Sequence, residues 1–155
     1  MSTPAARGHP MAKELAGNTG FLLSRLGFAF KAQAMAALER AGFEPHQYPV
    51  LAILAEGAPE TQATIAHALG LDPSRLVAVL DTLEEQGAIV RQRDPRDRRR
   101  QVARITPEGE QRLRALRAIA RELEQEFFAR LGPDGLTQLH DLLLELAAER
   151  DPGFR

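Results

Sequence analysis

The 155-residue chain is predicted to be mainly α-helical with one small two-stranded β-ribbon. Three observations carry this. Apolar residues recur at spacings of three and four along most of the length. Cap-and-proline start signals occur at Asp72-Pro73 and Thr106-Pro107. Two short β-forming segments, Ile89 to Arg93 and Gln101 to Thr106, flank a polar arginine-dense connection, as a hairpin requires.

Residues 1–12 contain Pro4, Gly8 and Pro10 without periodicity and read as a mobile N-terminal tail. Leu15, Leu22, Leu23, Leu26, Phe30, Ala34 and Leu38 predict one long amphipathic helix over 15–40, ended by Gly42. Pro45 opens a shorter helix carrying Tyr48, Leu51, Ile53 and Leu54, closed by Gly57 and Pro59. Thr61 caps a third helix, 62–69, which stops at Gly70. Asp72 caps a fourth that runs to Gln86 and ends at Gly87. After the ribbon, Leu113, Leu116, Ile119, Leu123, Phe127 and Leu131 mark a long helix broken by Gly132-Pro133. Leu136, Leu139, Leu142, Leu143 and Leu146 mark the last one. No internal repeat or low-complexity segment is visible.

Composition excludes several functions. With no cysteine, there are no disulfides, thiolate metal sites or nucleophilic thiols. No apolar run approaches the ~20 residues that cross a bilayer, and the N-terminus lacks a secretory h-region. A cytoplasmic location without membrane association is expected. His9, His46, His67 and His140 show no metal-site spacing, and Glu44 with His46 is at most half a site. No nucleophile elbow, phosphate loop or dinucleotide fingerprint occurs, so neither an enzyme nor a cofactor is expected.

The net charge of −1 hides an uneven distribution. Arg91 to Arg104 holds seven arginines and two aspartates, whereas Glu122 to Asp151 holds eight carboxylates and two arginines. A basic arm set apart from an acidic end is an electrostatic footprint for a polyanion.

The segment QATIAHALGLDPSRLVAVL, residues 62–80, meets the local needs of a helix–turn–helix. Ala66 is small where the second helix must cross, and Gly70 accepts the positive φ of the turn. Leu76 and Val79 form the apolar pair of the second helix, while Ile65 and Leu69 complete the inner face. Alone, this segment also fits a plain αα-hairpin of a bundle. The ribbon that follows, RQRDPRDRRR, fits either a solvated charged loop or a wing that reaches flanking phosphates or the minor groove. Clustered arginines beside the motif favour nucleic acid.

With these residues in place, the chain resembles the MarR family of winged helix–turn–helix transcriptional regulators. Asp97-Arg98-Arg99 followed by Ile105-Thr106 matches the family's wing pattern, D-x-R-x5-[LI]-T, and LDTLEEQGAIVRQRDPRDRR before it also fits. Val77-Ala78-Val79 departs from the threonine, serine or arginine that many members carry there. The resemblance implies a winged domain over 46–106, with 13–45 and 107–150 as a helical dimerisation region.

It further implies that the fourth helix enters the major groove of double-stranded DNA. Ser74, Arg75, Ala78 and Thr82 share an exposed stripe, with Arg75 suited to guanine and Ala78 only to a thymine methyl. Asp81, Glu84 and Glu85 have to stay clear of the backbone. In the wing, Arg99 matches the arginine that inserts into the minor groove, while Arg96, Arg98 and Arg100 are phosphate contacts. Asp97 either positions Arg99 or only forms the turn.

The outer leucine stripes need cover, either from a second copy in a homodimer or from each other in one bundle. The resemblance implies a repressor released from a near-palindromic operator by a small anionic or phenolic effector. Arg25, Phe28, His46 and Tyr48 are candidate ligand residues, although Phe28 and Tyr48 fit core packing as well. The competing reading is a winged-helix module that docks proteins without specific DNA binding. A nonspecific architectural DNA binder is a third.

Overall fold

The computed structural model describes residues 11–58, 60–94 and 97–154. Of the expected tail, residues 1–10 lie outside the described residues. The elements in chain order are α1 (Lys13–Ala16), α2 (Thr19–Arg40), α3 (Gln47–Ala55), β1 (Glu60–Thr61), α4 (Gln62–Leu69) and α5 (Pro73–Glu85). They continue as β2 (Ile89–Arg93), β3 (Gln101–Ile105), α6 (Pro107–Phe127) and α7 (Gly132–Arg150), with a 3-10 turn, Ala129–Leu131, before α7. The mainly helical architecture with a small β-ribbon is as expected from the periodicity.

Three details differ from the sequence expectation. The first long helix is two helices, because Asn18 is extended and its side chain accepts from the Phe21 amide at 2.8 Å, starting α2 afresh. The helix expected to open at Pro45 begins at Gln47, because His46 takes the left-handed conformation, φ 73°. The ribbon gains a third strand: β1 pairs antiparallel with β3, Glu60 opposite Ala103 and Thr61 opposite Val102. The sheet order is β1-β3-β2, and β2 pairs with β3 from Ile89 opposite Ile105 to Arg93 opposite Gln101.

One buried cluster joins α3 (Val50, Leu51, Leu54), α4 (Ile65, Ala66), α5 (Leu76, Val79, Leu80, Leu83), the turn residue Ala88 and the sheet (Ile89, Ala103). It also takes in Leu113 and Leu116 of α6, and so runs across the boundary expected at residue 106. Removing one of these fully buried leucines to alanine costs about 2–5 kcal/mol, the transfer and cavity terms together.

Beyond that cluster the packing thins. No residue of α2 or α7 is buried. Phe30 of α2 meets Phe127 edge-on at 5.2 Å between ring centroids, and Phe128 packs against both rings. Leu22, Leu23 and Leu26 of α2 and Leu142, Leu143 and Leu146 of α7 stay exposed, as does Phe28, at 77%. Among the described residues no helix is long and apolar enough to cross a membrane.

Candidate nucleic-acid interface

Local chemistry sets the helix–turn–helix. Thr61 accepts from the Thr64 amide at 3.2 Å while Thr64 Oγ1 accepts from the Thr61 amide at 3.0 Å, a reciprocal cap on α4. Gly70 ends α4 at φ 59°, and the Leu71 amide reaches back to the Ala66 carbonyl at 3.0 Å. Asp72 then caps α5, accepting from the Ser74 amide at 2.9 Å and from the Ser74 hydroxyl. The Ser74 side chain, then the amides of Ser74 and Arg75, hold the Asp72 carboxyl below its ordinary pKa. Ile65, Ala66, Leu76 and Val79 are all buried, as the motif demands.

With that face inward, α5 turns Ser74, Arg75 and Ala78 outward into solvent. Thr82, expected on the same stripe, is half-buried, and its hydroxyl donates to the Ala78 carbonyl at 3.0 Å. Val77 is exposed beside them; the sequence reading named it only as part of a departure from the family pattern, with no place on the outer stripe. Its place on the flank of the helix follows from packing, and the apolar spacing of α5 gives no separate signal for it.

In the wing, Asp97, Arg98, Arg99 and Arg100 are exposed, and Arg96 lies outside the described residues. Asp97 does form the turn: its carboxylate accepts from the Arg99 amide at 3.0 Å and its carbonyl from the Arg100 amide at 2.9 Å. The same carboxylate bond holds the backbone of Arg99. The Asp94 amide donates to the Arg100 carbonyl at 2.8 Å, closing the hairpin.

Not every arginine of the basic stretch is available to a polyanion. Arg93 donates to the Arg98 carbonyl at 3.2 Å. Arg91 is held by acids of α5, donating through Nε and Nη2 to Glu84 at 2.8 and 2.6 Å and reaching Asp81 at 2.6 Å. Sequence reasoning counted Arg91 in the cationic stripe and kept Asp81 and Glu84 clear of DNA without giving them a partner. Among the described residues, Arg98, Arg99 and Arg100 near the tip are exposed to solvent.

A second feature lies on the other side of the core. A cavity of about 520 Å³ opens between α2, α3 and α6, lined by apolar residues that include Phe30, Leu38, Leu116 and Leu123 and by the charged Arg117, Arg121 and Glu124. Tyr48 lines it, whereas Arg25, Phe28 and His46 do not. Phe28 is not in the core of this chain either. His46 is desolvated and lies in the fields of Arg75 and Lys31, which together depress its pKa and favour the neutral ring. Arg117 and Arg121 were missed because α6 carries four arginines, and the packing of α2 and α3, not the sequence spacing, decides which of them line the cavity. Among the described residues, no three histidines or carboxylates gather to hold a metal.

A helix–turn–helix with its second helix presented to solvent, flanked by a hairpin tipped with arginines, defines a winged-helix DNA-binding regulator. Residues 41–100 match the model of the MarR family. A regulatory protein assigned to the hcr operon of Thauera aromatica is 36% identical over 118 residues, 76% of this chain and 71% of that protein. The HTH-type transcriptional regulator FarR of Neisseria gonorrhoeae is 31% identical over 144 residues, 90% of this chain and 94% of its own. Among solved structures, the transcriptional repressor CouR bound to a 23-mer DNA duplex superposes with TM-score 0.78 at 28% identity, covering 90% of this chain and 99% of that one. CouR from Rhodococcus jostii RHA1 bound to p-coumaroyl-CoA gives 0.72 at 33% identity, covering 88% and 96%. The chain belongs to the MarR family, and it is a DNA-binding transcriptional regulator.

Proposed function

We propose that the protein is a homodimeric repressor that places α5 of each copy in successive major grooves of a near-palindromic operator. Ser74, Arg75 and Ala78 face the bases, Arg99 enters the adjacent minor groove, and Arg98 and Arg100, with Arg96, neutralise phosphates. The observation that carries this reading is the joint exposure of the outer face of α5 and of Arg98 to Arg100, while Arg91 and Arg93, nearer the hairpin base, are engaged within the chain.

Two copies are needed because one chain leaves the leucines of α2 and α7 bare, and a self-complementary two-fold contact is the simplest cover. With so few donors on α5, discrimination rests on backbone charge and duplex shape as well as on base edges.

The cavity between α2, α3 and α6 supports a small anionic or phenolic effector: its lining is largely apolar, Tyr48 brings a hydroxyl, and the two cations Arg117 and Arg121 outnumber the one acid, Glu124. It sits where helices expected to dimerise meet the winged unit. A ligand there releases DNA only by binding better to a conformation that fits DNA poorly.

The test is a titration against a duplex selected from a randomised pool, at stepped ionic strength, with and without a phenolic acid. Tight, salt-sensitive binding to the selected duplex, weakened by the acid, is expected. Equal affinity for unrelated duplexes would leave a nonspecific architectural binder, and no affinity for either would leave a protein-docking module.

A further inference from the structure

We propose that Arg91 is a positioning residue: with Glu84 and Asp81 it clamps the wing to α5, so that helix and hairpin reach the duplex as one rigid unit. This rests on the reading of α5 and the wing as the two DNA-contacting elements. It assigns a role to three residues that do not themselves touch DNA.

The geometry is that of a lock between two elements. Arg91 lies mid-strand in β2, opposite Ala103, and its side chain is only 19% exposed. Glu84 Oε2 accepts from both Nε and Nη2 of Arg91, while Glu84 Oε1 accepts from the Arg91 backbone amide at 3.0 Å. One carboxylate thus fixes the main chain and the guanidinium of the same residue. Asp81, one turn earlier on α5, takes Nη2 as well. A planar guanidinium held from two points along a helix constrains rotation as well as distance.

Apart from this clamp, the chain between α5 and β2 is the short turn at Gln86, Gly87 and Ala88, with Gly87 at φ 70°. The arginine tip is at the opposite end of the hairpin from that turn. A small rotation at the base becomes a large displacement at Arg99. The Arg91 side chain and backbone amide also hold the Glu84 carboxyl below its usual pKa, so the lock stays ionised across the neutral range.

Simple charge counting and the clamp predict opposite results for one substitution. Glu84→Gln removes a negative charge close to the DNA-facing helix and loosens a cation, so electrostatics alone predicts tighter binding. The clamp predicts weaker specific binding, by roughly tenfold, as the wing's contacts lose their fixed position. Glu85→Gln, on an exposed neighbour outside the clamp, supplies the control for the charge change.

The experiment is a titration of the wild type, Glu84→Gln and Glu85→Gln on the selected duplex, with a hydroxyl-radical footprint for the minor groove, dimethyl sulfate protection of guanine N7 for the major groove, and thermal midpoints recorded alongside. Protection of the minor groove flanking the site should fade in Glu84→Gln while major-groove protection persists, and Glu85→Gln should keep both. Undiminished affinity and flank protection in Glu84→Gln would overturn the clamp and leave the DNA reading intact. No flank protection in the wild type would overturn the placement of the wing, and the clamp with it. If Glu84→Gln does not fold, Arg91→Lys keeps the charge but loses the planar fork. Full flank protection in that variant would overturn the clamp equally.

Discussion

Gly109, in the first turn of α6, rests directly on the carbonyl oxygen of Ala88. A Cβ built on Gly109 would lie 2.0 Å from that oxygen and 2.7 Å from Cγ1 of Ile105. The same carbonyl accepts from the Thr106 amide at 3.0 Å, and the Thr106 hydroxyl donates to the Gly87 carbonyl at 2.6 Å. The start of α6 is therefore bolted to the turn between α5 and β2.

Gly109→Ala should destabilise the protein by about 1–3 kcal/mol, because backbone atoms cannot yield as a flexible side chain would. Denaturant unfolding should show a lower midpoint at unchanged slope. A wild-type midpoint would show that this packing is looser than the geometry requires.

Arg99→Ala should cost about 1–3 kcal/mol of operator binding if the side chain reads a narrow minor groove. The wild-type slope of log affinity against log salt should be about −0.9 per neutralised phosphate, and Arg98→Ala or Arg100→Ala should each reduce it by about 1. Titrations that leave both quantities unchanged would remove the wing from the interface.

The cap on α5 makes a pH prediction. The Asp72 carboxyl has a folded pKa below its unfolded value because the Ser74 side chain and the amides of Ser74 and Arg75 donate to the ionised form. Its contribution to stability is thus present above the unfolded value of about 4 and is lost as pH falls through the folded one. The stability gap between wild type and Asp72→Ala should be constant near neutrality and close below about pH 4. A gap that persists unchanged at pH 2.5 would contradict a cap that depends on charge.

Much of this was legible because it is local. The Thr61 cap, the turn at Gly70 and the Asp72-Pro73 start lie within a few residues of what they control, so α4 and α5 fall where the sequence places them. The strand β1 was not legible: two residues carry no periodicity, and their partners Val102 and Ala103 are far along the chain. The break at Asn18 was hidden because the apolar spacing continues on both sides of it. Helix α2 carries one apolar stripe that is covered unevenly along its length: Phe30, Ala34 and Leu38 of its second half line the cavity, whereas Leu22, Leu23 and Leu26 of its first half are exposed. Arg25 and Phe28 were grouped with His46 and Tyr48 on the family resemblance and lie off that stripe, and of the four only Tyr48 lines the cavity. The clamp on Arg91 joins residues on different elements, and no spacing rule reports it.

For the cavity, Arg121→Ala should weaken the response to an anionic effector by about tenfold or more, the range of a lost charge-assisted hydrogen bond. DNA affinity without effector should be unchanged. Isothermal titration with a phenolic acid, followed by the operator titration, checks both. Effector binding that is indifferent to Arg121→Ala and Tyr48→Phe alike would move the site elsewhere.

The central claim is that two copies of α5 are presented together, one duplex turn apart. Inserting five base pairs between the half-sites of the selected operator turns one half-site to the opposite face of the DNA. The account predicts that affinity then falls toward the nonspecific level, a loss of ~10³ or more, and recovers in part when ten are inserted. Affinity that ignores both insertions would mean that each chain reads DNA alone, and would contradict the paired arrangement.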